Sequence, residues 1–203
     1  MTDAILQTLA RMEARGFKTR AFATAAEMRD FVLDEIGARS AGFGGSVTCD
    51  SLGLYEALAA RGNAVFFHWK TATPEARAEA FRGARTADVY LMSSNAISAD
   101  GALLNIDGTG NRIGAMLDGP PTVFVLVGVN KFAGSWAEAM QRVKTVACPL
   151  NARRLKLATP CATLGRCGNC QGPQSMCHFT LWTEGPRKGQ TIWVLVADEP
   201  LGY

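Results

Sequence analysis

The 203-residue chain is 48% hydrophobic and 19% charged, with a formal net charge of +3. That length can enclose one continuous core, so a single domain over 1–203 is expected, and the composition excludes disordered, fibrous and low-complexity chains. The dispersed basic residues speak against nucleic acid as a partner, and no run approaches the roughly 18 uninterrupted apolar residues of a membrane span.

From Ile5 through Leu9 and Met12 to Phe17 the apolar residues keep helical spacing, with Arg11, Glu13 and Arg15 between them. A basic start followed by an unbroken apolar run is missing, so no secretory signal is expected and the chain is assigned to the cytoplasm. Thr24-Ala25-Ala26-Glu27 caps a second helix that ends at Gly37. Ser40 to Thr48 reads as a short strand entering a glycine turn, followed by helical spacing through Leu54 and Leu58 to Gly62.

The pattern then repeats. Strand Ala64–Phe67 leads to a helix opened by Thr73-Pro74-Glu75, and strand Asp88–Met92 follows. After a polar, Gly-rich central stretch, Thr122–Val127 is a nearly continuous apolar run, the sign of a strand buried on both faces. Ser135-Trp136-Ala137-Glu138 opens another helix. Strands alternating with helices over 1–147 predict an α/β core with a mostly parallel central sheet flanked by helices. Residues 148–203 read as an attachment: a short basic helix at 151–157, a C-terminal cysteine loop, and a terminal β-hairpin of Phe179–Thr183 with Thr191–Val196.

Of six cysteines, four fall within 161–177 in the spacing C-x5-C-x2-C-x6-C: Cys161, Cys167, Cys170 and Cys177. In a reducing compartment this is not a disulfide framework. The two-residue gap lets two thiolates of one turn face the same centre, and Gly165, Gly168 and Gly172 permit the wrapping turns. Four thiolates suit either a tetrahedral zinc ion or a [4Fe-4S] cluster; the gaps of five and six favour the larger group, while zinc, and unligated thiols or redox pairs, stay open. Cys148 and Cys49 are read as small buried residues, with a reactive thiol as the alternative for Cys49. His68 and His178 receive no catalytic role, although His178 adjoins Cys177.

Gly44, Gly45 and Ser46, between a strand and a helix, can offer N–H groups and a hydroxyl to an anion, a purely structural turn being the alternative. The polar stretch from Ser94 to Arg112 carries Asn95, Asp100, Asp107, Gly108, Gly110, Asn111 and Arg112 and is expected to line a cleft. Asp100 or Asp107 is the candidate acid/base or orienting group, and Arg112 the candidate anion clamp. Lys131 follows a buried strand, at the sheet end where ligands of open α/β folds bind.

Gly44-Gly45-Ser46-Val47-Thr48, Ser94-Asn95-Ala96-Ile97 with Asp100-Gly101, Asn105-Ile106-Asp107-Gly108-x-Gly110-Asn111-Arg112, Gly128-Val129-Asn130-Lys131, Asn151-Ala152-x-Arg154-Leu155, the cysteine run and the ending Asp198-Glu199-Pro200-Leu201-Gly202-Tyr203 together resemble the lactate-utilisation (LUD) domain family, in a cysteine-containing subgroup. The resemblance implies a fold similar to the sugar-phosphate isomerase and CoA-transferase group, with Gly44–Ser46 and Asp107–Arg112 facing one ligand cleft. It also implies oxidation of lactate or a related organic acid, a small anionic metabolite as ligand, and iron-sulfur redox partner proteins. Members with the cysteine run look like cluster binders. One departure is Cys49-Asp50 after Thr48, where the family pattern suggests an aliphatic-acidic pair.

Three functions follow as expectations. The first is an iron-sulfur protein that transfers electrons or binds substrate through its cluster. The second is a non-redox isomerase- or transferase-like enzyme acting on a phosphorylated or CoA-linked substrate, its metal structural. The third is a regulatory module that binds a partner enzyme. Whether the isolated chain turns over substrate is left open, as is assembly into a homo-oligomer.

Overall fold

The computed structural model describes residues 1–203. Helix α1 (Asp3–Ala14) begins where the Thr2 hydroxyl accepts from the Ile5 N–H. It ends before Gly16, whose φ of +91° turns the chain into strand β1 (Lys18–Phe22). The helical spacing expected as far as Phe17 thus stops three residues earlier, and Phe17 is buried after the turn. In α2 (Ala25–Ile36), Thr24 caps the Glu27 N–H while the Glu27 carboxylate accepts from the Ala23 N–H, and Gly37 closes the helix at φ +57°.

Strand β2 (Ala41–Phe43) runs into α3 (Val47–Ser51) and α4 (Leu54–Ala60). These two form where a single helical stretch is expected; Gly53, at φ +61°, breaks them apart. Strand β3 (Val65–Phe66) is followed by a 3-10 turn at His68–Lys70 and by α5 (Pro74–Thr86), capped by Thr73. Strand β4 (Val89–Met92) comes next.

The polar central stretch holds two strands, β5 (Ala96–Ser98) and β6 (Leu103–Asp107), which form an antiparallel pair joined by a tight turn. Then follow α6 (Asn111–Asp118), β7 (Thr122–Gly128), the short β8 (Phe132–Ala133), α7 (Trp136–Arg142), a π-helical turn at Val143–Ala147, α8 (Cys148–Arg154), α9 (Pro160–Leu164), β9 (Phe179–Thr183) and β10 (Thr191–Ala197).

Six strands make one all-parallel sheet in the order β1-β10-β7-β4-β2-β3, and the other four make a second sheet, β8-β5-β6-β9. The expected α/β class and mostly parallel central sheet are found. The terminal hairpin is not: β10 lies parallel to β1 and β7 inside the main sheet, whereas β9 pairs antiparallel with β6 in the second. The physical reason is burial. Along β10, Ile192, Val194 and Val196 pack on one face while Leu195 and Ala197 pack on the other, and only a central parallel strand covers both. Strand β9 begins with exposed Phe179 and Thr180 and suits a sheet edge.

The main sheet is covered by α2 and α4 on one face and by α1, α6 and the second sheet on the other. A smaller apolar cluster joins Leu104 and Ile106 of β6 to Ala139, Val143, Ala147 and Cys148, which ties the second sheet to α7 and α8. No helix is long and apolar enough to cross a membrane.

Candidate functional site

A cavity of about 530 Å³ opens between the carboxyl ends of the main-sheet strands, the second sheet and α8. Its floor holds Ser93, Ser94, Asn95 and Asp107; its walls carry Gly45, Ser46, His68, Trp69, Arg112, Lys131, Asn151, Arg154, Cys177 and Tyr203. Three of the cations, Arg112, Lys131 and Arg154, come from three different segments of the chain.

Arg112 and Asp107 form the best-ordered pair. The guanidinium Nε donates to Asp107 Oδ1 at 2.7 Å, and Nη2 donates to the Ile106 carbonyl at 2.6 Å and to Asn95 Oδ1 at 3.3 Å. Asp107 Oδ2 accepts the backbone N–H of Arg112 at 2.9 Å and of Ile113 at 3.3 Å, where α6 begins. Both carboxylate oxygens are therefore engaged, and the negative charge sits at a helix start that favours it. Gly44 makes this possible from the opposite side, since a Cβ there would lie 2.9 Å from Arg112 Cγ. Gly44 itself is buried behind the cleft wall.

The Ser46 hydroxyl accepts from the Cys49 N–H at 3.2 Å, capping α3. Asn95 Oδ1 accepts from the Ile106 N–H, so this amide also spans β5 and β6. Asn111 Oδ1 accepts from the Thr109 hydroxyl, while Gly108 and Gly110 shape the turn into α6 with Gly110 at φ +75°. Gly108 lines the cleft; Gly110 packs under Phe179. Asp100 is not with them. It lies exposed in the β5–β6 turn, whose neighbours Ala99 and Gly101 rest on Arg11 and Met12 of α1.

Lys131 is fully buried, and its amine donates to the Tyr203 carbonyl oxygen. Burial, reinforced by the charges of Arg142 and Arg112, lowers its pKa to about 7. His68, stacked on Phe81 with ring centroids 4.3 Å apart, is pushed down to about 4 by burial and by Arg77 and Arg154. It is neutral at physiological pH. Cys49 is buried and its thiol pushed up to about 12, which fits a packing role.

The cysteine loop folds back onto the cleft. A second, smaller cavity of about 80 Å³ is lined by Cys161, Cys167, Cys170 and Cys177 and by a fifth thiol, Cys148. Cys161 sits in α9; Cys167 and Cys170 flank Asn169, whose φ of +50° makes the tight turn between them. The Asn169 N–H points at Cys167 Sγ at 3.4 Å, and the Thr159 hydroxyl lies 3.3 Å from Cys161 Sγ. Cys148 Sγ and Cys177 Sγ are 3.6 Å apart. The hydrogen bond these sulfurs share holds the Cys177 thiol below its usual range and, with burial, pushes Cys148 above it. His178 Nδ1 lies 3.1 Å from the Gly108 carbonyl oxygen, which joins the cysteine loop to the β6–α6 turn.

Sequence reasoning missed Cys148, Trp69 and the Asn151, Arg154 and Tyr203 cluster. Arg154 Nε donates to the Tyr203 hydroxyl oxygen at 2.9 Å and Nη2 to Asn151 Oδ1 at 2.9 Å. A usable signal existed for two of them, because Asn151 and Arg154 stand three apart on a helix and share one face.

A two-sheet α/β protein with a cationic cleft against a thiol-lined loop is the class that fold and geometry define. The chain belongs to the LUD domain family, whose model, described as LUD domain, matches residues 5–196. Among solved structures it is similar to a DUF162 family protein from Deinococcus radiodurans, with a TM-score of 0.58, 16% identity and 96% of each chain covered. That likeness establishes the fold. No curated protein matches the chain.

Proposed function

We propose that this LUD-domain protein acts in the utilisation of lactate or a related small organic acid, taking the organic anion in its cleft and holding a [4Fe-4S] cluster on Cys161, Cys167, Cys170 and Cys177. The observation that carries this reading is a shared wall. Cys148, Ser175 and Cys177 line both the large cleft and the thiol cavity, so a group held by the thiols adjoins the space open to a ligand.

The donor set fits the cluster. Its ligands are thiolates; the Asn169 N–H donates toward Cys167 Sγ, and the Thr159 hydroxyl beside Cys161 Sγ is a group that can stabilise a thiolate by donating to it. A single zinc ion, with Zn–S of about 2.3 Å, draws four sulfurs to within about 3.8 Å of one another. Five thiols line one cavity here, more than a single zinc ion takes, and the gaps of five and six residues in the sequence suit the larger group.

When bound, a cluster supplies one-electron transfer. The chain's own residues supply the rest. Arg112 and Arg154 offer planar guanidinium donors to a carboxylate, and Lys131 adds a buried amine. Asp107, with both oxygens engaged, aims Arg112, and Asn95 braces the same guanidinium. Asp100, outside the cleft, has no part in this reading.

Purification and reconstitution without oxygen, followed by iron and acid-labile sulfide analysis, tests the proposal. Brown protein whose broad visible absorption bleaches on reduction is expected; a chain still colourless after reconstitution rejects it. Ligand class is read from thermal melts, because a ligand that binds the native state raises Tm. Lactate or pyruvate should do so. A shift with sugar phosphates or CoA esters alone would put the non-redox enzyme in its place.

A further inference from the structure

A cubane cluster takes four thiolates, one on each iron. This cavity presents five. Three of them, Cys161, Cys167 and Cys170, lie within one stretch of ten residues in and after α9. Cys148 and Cys177 reach the cavity from elsewhere: Cys148 from the first position of α8, Cys177 from the segment leading into β9.

The corners of a cubane point away from one another, so thiolates on different irons stand well apart. The Cys148 and Cys177 sulfurs, at 3.6 Å, are in direct contact. They occupy one corner's worth of space. A third thiol, histidine or carboxylate that would turn this contact into a single-ion site is not gathered there.

The two thiols also differ in their footing. Cys148 belongs to the buried cluster that joins α7 and α8 to β6, and is 6% exposed. Cys177 is half-buried and follows Gly172-Pro173, where the chain is in irregular loop with Gly172 at φ +134°. One ligand is fixed to the core and the other is carried by a loop, and both also line the cleft.

We propose that Cys148 and Cys177 are alternative ligands for one corner of the cluster, either being able to complete the set begun by Cys161, Cys167 and Cys170. This rests on the cluster reading above. In either arrangement the thiol left over lies beside the cleft, so the choice of ligand sets which sulfur faces a bound organic anion.

The test compares wild type with Cys148→Ser, Cys177→Ser, the double variant and Cys161→Ser, all reconstituted anaerobically and assayed for iron, sulfide and visible spectrum. Each single variant at the shared corner should hold about four irons and keep its colour, because the remaining thiolate completes the set. The double variant and Cys161→Ser should lose at least half the iron while keeping the wild-type far-UV circular dichroism. Loss of the cluster in one single variant but not in the other overturns the shared corner, and so does full iron in the double variant. Wild type that takes up no iron overturns the cluster reading and this inference together.

Metal-free protein gives an independent readout. Glutathione disulfide should convert the Cys148 and Cys177 thiols into one disulfide and be reduced to two molecules of glutathione, with the crosslinked peptides identified by mass. Crosslinks that bypass this pair, or no crosslink at all, contradict the contact on which the shared corner depends.

Discussion

The guanidinium of Arg154 lies 4.4 Å from the centroid of the Trp69 ring, so the last turn of α8 and the 3-10 turn after β3 meet at the mouth of the cleft. Trp69 in turn stacks on Phe67, with centroids 5.4 Å apart, and Phe67 is part of the main core. Arg154 is thereby held by an aromatic face anchored in the interior and by the oxygens of Asn151 and Tyr203.

A planar cation positioned this way is sensitive to shape as well as charge. Arg154→Lys keeps the charge and loses the flat stacking surface and the fork of donors. In calorimetric titration with lactate or pyruvate it should weaken binding about tenfold, or about 1.4 kcal/mol. Unchanged affinity would remove Arg154 from the ligand site.

Asp107 and Arg112 are nearly buried, with side chains 6% and 12% exposed. Removing the carboxylate leaves a buried guanidinium uncompensated and uncaps the start of α6. Asp107→Ala should cost about 3 kcal/mol or more, read as a lower urea midpoint at constant slope. A loss below about 1 kcal/mol would mean that solvent already carries the charge.

His68 gives the stability curve a defined slope. Its native pKa is depressed from 6.5 to about 4, so the folded protein keeps the ring neutral while the unfolded chain takes up a proton below pH 6.5. The stabilisation is present above pH 6.5 and is lost as pH falls toward 4, by up to about 3 kcal/mol. Urea titrations of wild type and His68→Gln across pH 7 to 4 should converge on the acid side. Parallel curves would show that the ring titrates normally in the fold.

Gly42 in β2 meets α5 with almost no gap. A Cβ at this position would lie 2.4 Å from the Ala84 carbonyl oxygen and 2.6 Å from its Cα. Both are backbone atoms, so no rotamer relieves the clash, and α5 must shift off the sheet. Gly42→Ala should destabilise by about 2 kcal/mol or more. A Tm within 1 °C of wild type would contradict the close approach.

Much of the main sheet is legible in the chain's own chemistry. Val123 to Val127 is apolar on both faces, and Thr73-Pro74 marks the start of α5 without help from any distant residue. Partner choice is not local. Phe179–Thr183 and Thr191–Val196 read correctly as strands, yet nothing between them tells that one joins β6 and the other passes between β1 and β7.

Strands β5 and β6 hid behind their polarity. Ser94, Ser98 and Asn105 are all buried, which the usual alternation does not anticipate. The same stretch holds both candidate acids, and only the path of β6 separates them: it carries Asp107 to the cleft and leaves Asp100 at the turn by α1. Cys148, read alone as a small buried residue, gains its interest from Cys177, 29 positions away and 3.6 Å distant.

Strand β1, near the amino end, has one neighbour in the sheet, and that neighbour is β10. Synthesised long before its partner, β1 has no ladder to join until residues 191–197 arrive. Everything between, including the cysteine loop, must be made before that edge of the sheet can zip shut. The loop is thus a passage the chain completes on the way to closing its own core, and a cofactor installed there during synthesis would meet a half-built sheet whose last seam is still open.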